Sequence, residues 1–364
     1  MIKAIKFFLI FVLSVVILFV AIIVRLYAIK VVDVRLQVKH NNQLESYYQS
    51  SAFTEIDDAE FTDFDIHDAS IKLNDIQMLA SHNSYKKKGS ALGKLFIGLG
   101  SSKAEAQALN YGYKNLTDQL ENGIRSMEID LRMRKTQFML THIPLVDNGS
   151  VAPVFSLALE EIAMFSDNNP NHLPIIILME IKDDWMILDH ALQKIEQEQL
   201  EDLNILLDDK LGNRLFTPND MLEDGKTLNE TVQTTGWPSI STLLGKIIFI
   251  LHPGNFVEPY QQIDPTLKTL PMFIGATPEL IDQSYTSFIV HNEPDVTAIG
   301  QLVSQGYIVR TRIDADLVYS VDDYNDAINS GAQILSSDYT IGRSDLNIDD
   351  YIYLPNEKMI VLRT

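Results

Sequence analysis

Residues 7–24 are apolar at every position except Ser14, with Lys3 and Lys6 on one flank and Arg25 on the other. Eighteen residues of helix extend ~27 Å at 1.5 Å each, enough to cross the hydrocarbon core of a bilayer. The run is longer than a usual signal-peptide core, and no small-x-small site follows it. Residues 1–30 are therefore read as a membrane segment and, in preference to a cleaved signal, as an uncleaved anchor. Positive residues on both flanks leave its orientation open.

The pattern then turns polar. Residues 31–70 hold only short apolar groups among Asp57, Asp58, Glu60, Asp63, Asp65 and Asp68, and read as an acidic linker. From 71 to 350, short β-type runs alternate with stretches of helical period, which predicts a mainly parallel sheet under helical cover. The predicted strands are 76–81, 124–131, 137–142, 174–181, 246–251, 287–291, 307–313 and 332–337. The predicted helices are 155–165, 184–208, 295–304 and 322–329. Eight strands indicate an α/β fold of the TIM-like (β/α)8 type, preceded by the transmembrane helix. The step from 124–131 to 137–142 is too short for a crossover helix, so the barrel is expected to be irregular there. Residues 351–364 are left as a C-terminal tail.

Composition narrows the classes. With 364 residues, 46% of them apolar, the chain can bury a large core, and it is expected as a monomer. A formal charge of −20 argues against nucleic acid as a partner, because neutralising phosphates requires a basic surface. The absence of cysteine excludes disulfides, thiolate zinc sites and thiol nucleophiles.

Residues able to do chemistry gather near the ends of predicted strands: His82-Asn83-Ser84-Tyr85, Glu128-Ile129-Asp130 and Thr141-His142. Parallel strand ends converge on one rim. Two imidazoles exchange protons near neutral pH, and an amide oxygen with several carboxylates makes a hard oxygen site suited to Ca²⁺. Glu128 and Asp130, two apart on a strand, share a face, where apolar surroundings would reject two bare charges without a cation. Together these groups suit phosphodiester cleavage.

Taken in order with these clusters, Gln119 to Arg125, Glu180 and Lys182 on their strand, Val309-Arg310-Thr311-Arg312 and Gly331 to Tyr339 give a pattern that resembles the phosphoinositide-specific phospholipase C superfamily. The nearest likeness is to its bacterial calcium-dependent branch, over about residues 76–339. Where that family usually has Gly-Thr before the His-Asn-Ser-Tyr element, this chain has Ala80-Ser81. The resemblance implies Ca²⁺ held by Asn83, Glu128, Asp130 and Glu180, with His82 and His142 as the catalytic pair. It implies attack of the inositol 2-hydroxyl of a phosphoinositide lipid on the adjacent phosphorus. In that scheme His142 protonates the departing diacylglycerol oxygen, and His82 stabilises phosphoryl oxygens or assists deprotonation.

Strand alternation adds further candidates. Lys182 follows Glu180, and Arg132 follows Asp130, so each could reach a phosphate oxygen. Arg310 and Arg312 point inward, either to substrate phosphate and inositol hydroxyls or to a barrel carboxylate such as Asp338 or Asp314. Asp338 and Tyr339 end the last strand and could contact inositol. Lys86-Lys87-Lys88, followed by Leu92, Leu95, Phe96, Ile97 and Leu99, reads as an interfacial lip for an anionic membrane surface. His172, in a turn before a strand, is given no role.

The leading expectation is a phosphatidylinositol-cleaving enzyme anchored by residues 7–24, its catalytic part extracytoplasmic, or secreted if the segment is cleaved. A metal-dependent glycerophosphodiesterase, attacking with water, and a catalytically silent inositol-lipid-binding protein are the alternatives.

Overall fold

The computed structural model describes residues 2–363. Eight parallel strands close into a barrel: β1 (Ile76–Ser81), β2 (Ser126–Arg134), β3 (Ile175–Ile181), β4 (Ile247–Leu251), β5 (Met272–Ala276), β6 (Phe288–Val290), β7 (Ile308–Arg312) and β8 (Ile334–Ser337). Neighbours in sequence are neighbours in space, and β1 completes the ring by pairing with β8 on one side and β2 on the other. The strands read as near-continuous apolar runs, such as Ile-Ile-Ile-Leu-Met in β3, because barrel interior and helical cover bury both faces. The cover includes α1 (Ile2–Tyr48), α2 (Ala91–Gly100), α3 (Phe155–Asn168), α4 (Gln197–Leu211), α5 (Val296–Ser304) and α6 (Val321–Asn329).

The expected strand 137–142 is not a barrel strand. Gln137–Leu140 runs antiparallel to β2 as a hairpin, pairing Leu131 with Leu140 and Arg134 with Gln137. The eighth strand is instead β5. Its sequence Met-Phe-Ile-Gly-Ala is short and follows a proline. Gly275 is required there: a Cβ would come within 2.8 Å of the Leu251 carbonyl of the adjacent strand.

The stretch 184–208 is helical only in its second half. It opens with a single 3-10 turn, Met186–Leu188, and a short strand, Leu192–Gln193, pairing with β2. Residues expected as a C-terminal tail supply Ile360–Leu362, antiparallel to the start of β1. There β1 is not paired with β2, which joins it at Ala80 and Ser81.

The first half of the expected linker 31–70 continues α1. Leu26, Lys30, Asp33, Gln37, Asn41 and Leu44 recur every three or four residues as a buried stripe. The stripe is mostly polar because it docks by hydrogen bonds. Gln37 donates to the Val154 carbonyl at 3.0 Å and accepts from the Val154 amide at 2.9 Å, satisfying the entry to α3. Lys30 pairs with Asp189 at 3.2 Å, and Asp33 accepts from Lys87 at 2.7 Å. Toward its start the same helix is exposed, and an 18-residue window of it has mean hydropathy 3.5 with none buried. It is long and apolar enough to cross a membrane.

Candidate active site

The turn after β1 is built by its own sequence. Asn83 takes a left-handed backbone (φ 51°), which asparagine tolerates better than most residues. Ser84 binds β2 twice: its amide donates to the Glu128 carbonyl at 2.8 Å, and its hydroxyl accepts from the Glu128 amide at 3.0 Å. Tyr85 donates to Asp130 Oδ2 at 2.8 Å. Gln119 closes the turn from behind, donating to the Ser84 carbonyl at 2.8 Å and accepting from the Ser81 hydroxyl at 2.9 Å. Arg125 is buried on the Asp58 carboxylate, so this part of the motif is scaffold.

His82 Nδ1 lies 2.8 Å from Asp338 Oδ1, and its Nε2 lies 3.8 Å from Glu128 Oε1. Burial disfavours the imidazolium, but Glu128 and Asp338 outweigh it and raise the His82 pKa above its ordinary value. Asp338 is therefore a positioning group for His82 rather than a free inositol ligand. Tyr111 adds a hydroxyl 3.2 Å from His82 Nδ1 and 3.1 Å from the Asn83 amide nitrogen.

The second imidazole is held in the same way. His142 Nδ1 is 3.1 Å from Asp147 Oδ2, and Asp147 Oδ1 is 3.0 Å from the fully buried ammonium of Lys86. Lys86 is thus not part of a free basic lip, and Lys87 and Lys88 are paired with Asp33 and Asp345. The exposed apolar residues Leu95 and Leu99 of α2 remain at the surface.

Glu128, Asp130 and Glu180 lie on one face of adjacent strands, Asp130 directly beside Glu180 in register. Burial opposes ionisation of Glu128, but Arg310 and His82 outweigh it and hold its carboxyl well below the ordinary carboxylate range. Arg310 pairs with Glu128 and also donates to Ser336 Oγ at 3.0 Å and to Asn292. Of the two readings for Arg310, the structure shows the barrel carboxylate, though the partner is Glu128 and not Asp338 or Asp314. Lys182 Nζ bridges Glu180 at 3.2 Å and Asp130 at 3.4 Å. Arg312, on the same inward face as Arg310, has a buried Nε without a hydrogen-bond partner.

Two proposed substrate contacts are engaged elsewhere. Arg132 is buried and clasps the His142 loop, donating from Nε to the Thr141 carbonyl at 3.2 Å and from Nη2 to the His142 carbonyl at 2.8 Å, and pairing with Asp184. Tyr339 turns away and donates to the Leu317 carbonyl at 2.6 Å. Asp147, Tyr111, Asn292 and His252, which follows β4 and acts electrostatically on Glu128, are the site residues that sequence reasoning missed. Asp147 alone left a signal, five positions after His142 in the same loop.

The oxygen donors Asn83 Oδ1 and Asp130 Oδ1 are buried and accept no hydrogen bond. Buried acceptors without partners are rare, and two beside Glu128 and Glu180 suit a hard cation. Among the described residues, no three acidic or imidazole side chains converge into a metal cage. Lys182 and Arg310 supply counter-charge there.

A family model described as phosphoinositide phospholipase C, Ca²⁺-dependent, matches residues 71–133 and 131–363. The fold is similar to a calcium-dependent phosphoinositol-specific phospholipase C from Pseudomonas sp, with TM-score 0.57 and 15% identity, covering 82% of this chain and 97% of that one. It is also similar to a Ca²⁺-dependent phosphatidylinositol-specific phospholipase C from Streptomyces antibioticus, with TM-score 0.55 and 16% identity, covering 74% and 95%. No curated protein matches the sequence.

Proposed function

Because the chain belongs to the Ca²⁺-dependent phosphoinositide phospholipase C family, we propose that it cleaves phosphatidylinositol into diacylglycerol and an inositol phosphate at the rim of its barrel. One observation carries the reading: two imidazoles are each held through Nδ1 by a buried carboxylate, and one of them stands 3.8 Å from Glu128. Binding alone needs no acid-base pair, whereas transfer of a proton from one oxygen to another needs two.

The inositol 2-hydroxyl gives its proton to Nε2 of His82 and attacks the adjacent phosphorus. A bond forms between that oxygen and phosphorus, and the bond from phosphorus to the diacylglycerol oxygen breaks. His142, fixed by Asp147, gives its proton to the departing oxygen. His82, fixed by Asp338 with a raised pKa, donates to the phosphoryl oxygens as their charge grows. The unpaired Nε of Arg312 is a further donor for the phosphate.

Asn83, Glu128, Asp130 and Glu180 would hold Ca²⁺, in exchange for the side-chain cations now beside them. When bound, the ion would acidify the attacking hydroxyl and offset charge on phosphorus. Release of inositol phosphate from phosphatidylinositol vesicles, followed by ³¹P NMR with Ca²⁺ and with chelator, tests the reading. Turnover confined to glycerophosphodiesters would support the water-attacking alternative.

A further inference from the structure

An apolar opening beside the candidate site is not made by the barrel alone. A cavity of about 520 Å³ has one wall formed by Phe19, Ile23 and Leu26 of α1 and another by Phe96 and Ile97 of α2. His142 and Lys182 line it as well, so an apolar channel and two groups of the candidate site share one space. Its lining is mostly apolar, while the neighbouring opening around His252 and Asp183 is polar.

Phe19 and Ile23 of this wall belong to the last turns of the apolar run 7–24, the part of the chain suited to hydrocarbon. Beyond it the helix is docked by the polar stripe from Lys30 to Asn41, with Asp189, Val154 and Leu157 as partners. The helix is therefore continuous from bilayer to barrel, with no flexible tether between them. Trp185 of the channel lining is exposed, as are Leu99 and Ile187, which adjoin the lining residues Gly100 and Leu188 in sequence. Apolar side chains at that level are what an interface accepts.

Resting on the phospholipase reading, we propose that α1 is a wall of the lipid entry path as well as an anchor. The diacylglycerol end of a phosphatidylinositol molecule enters sideways from the bilayer that α1 crosses and lies between α1 and α2. Its headgroup then reaches His142 and Lys182. The lining agrees, because α1 and α2 give it apolar side chains while Arg132, His142, Lys182 and Asp184 give its barrel side polar groups for a headgroup.

The test uses the full chain in vesicles of phosphatidylcholine and dioleoyl phosphatidylinositol, against soluble dibutanoyl phosphatidylinositol. Gly100 borders the channel, and a Cβ there meets nothing within 4 Å, so Gly100→Phe starts from open space and adds bulk at the channel. Ile23→Trp narrows the channel from the α1 side. Each variant is expected to lose at least ~10-fold on the bilayer substrate and to stay within about twofold on the soluble one. Equal losses on both substrates, or no loss on either, would overturn the proposal.

A second readout does not depend on turnover. A benzophenone amino acid in place of Phe96 should crosslink to a diacyl lipid, Gly100→Phe should suppress that product, and the same probe at exposed Ile205 should give none. Crosslinking without any turnover would leave the channel standing and remove the phospholipase reading. Turnover without crosslinking at position 96 would do the reverse.

Discussion

Asp338, just past the end of the last barrel strand, holds Nδ1 of His82, just past the end of the first, at 2.8 Å. The two residues are 256 positions apart, and only closure of the barrel brings them together. A carboxylate accepts at Nδ1, which leaves Nε2 for chemistry and favours the imidazolium. Asp338→Asn should lower kcat by about 10²-fold or more while leaving the fold intact. The limb of the pH profile that reports His82 should move to lower pH, since Asp338 helps to raise its pKa. An unchanged profile would mean that this contact does not tune His82.

Lys182 is an internal competitor for the proposed cation site. Its ammonium bridges Asp130 and Glu180, and those carboxylates raise its pKa against the opposing effect of burial. Lys182→Met should tighten Ca²⁺ binding about 10-fold by calorimetry, and Asp130→Asn should abolish most of it. Weaker binding by Lys182→Met would indicate that the ammonium helps to build the site.

Arg132 is expected to act on the loop and not on the phosphate. Arg132→Met leaves the Thr141 and His142 carbonyls without their guanidinium donor, at about 1–3 kcal/mol for each buried acceptor. Thermal stability should fall together with kcat. A rise in KM alone, at unchanged Tm, would restore the phosphate-binding role.

His172 sets an acid limit that has nothing to do with catalysis. Burial, then Arg125, pushes it from its ordinary value of 6.5 down to about 4. Between those values the unfolded chain takes up a proton that the folded chain refuses. Stability is therefore lost as pH falls from 6.5 to 4, by about 3 kcal/mol from this group. His172→Gln should flatten that part of the curve in urea titrations. A slope identical to that of the parent protein would show that His172 is not its source.

Much of this was legible in the sequence because strand ends carry their chemistry locally. His82, Glu128, Asp130, His142 and Glu180 each stand at or just beyond the end of an apolar run, and the barrel places them along one rim. What was not legible depends on pairing at a distance. Strand β5 was hidden by its length and by Gly275, a residue chosen for a neighbouring carbonyl. Residues 31–48 looked like a linker because their contact stripe is polar: Gln37 and Asn41 hide a docked helix from any search for apolar period. Arg132 resembled a phosphate ligand by alternation alone, yet its donors serve carbonyls across the hairpin.

Attack by the lipid's own inositol hydroxyl leaves a cyclic phosphate as the first product, which attack by water does not. The most direct measurement is ³¹P NMR of phosphatidylinositol vesicles with the full-length protein, first with Ca²⁺ and then with excess chelator. A cyclic inositol phosphate signal should grow with Ca²⁺, stop with chelator and fall at least ~10²-fold in His142→Ala. Acyclic phosphate from the first turnover, with no cyclic species, or turnover untouched by chelator, would contradict it.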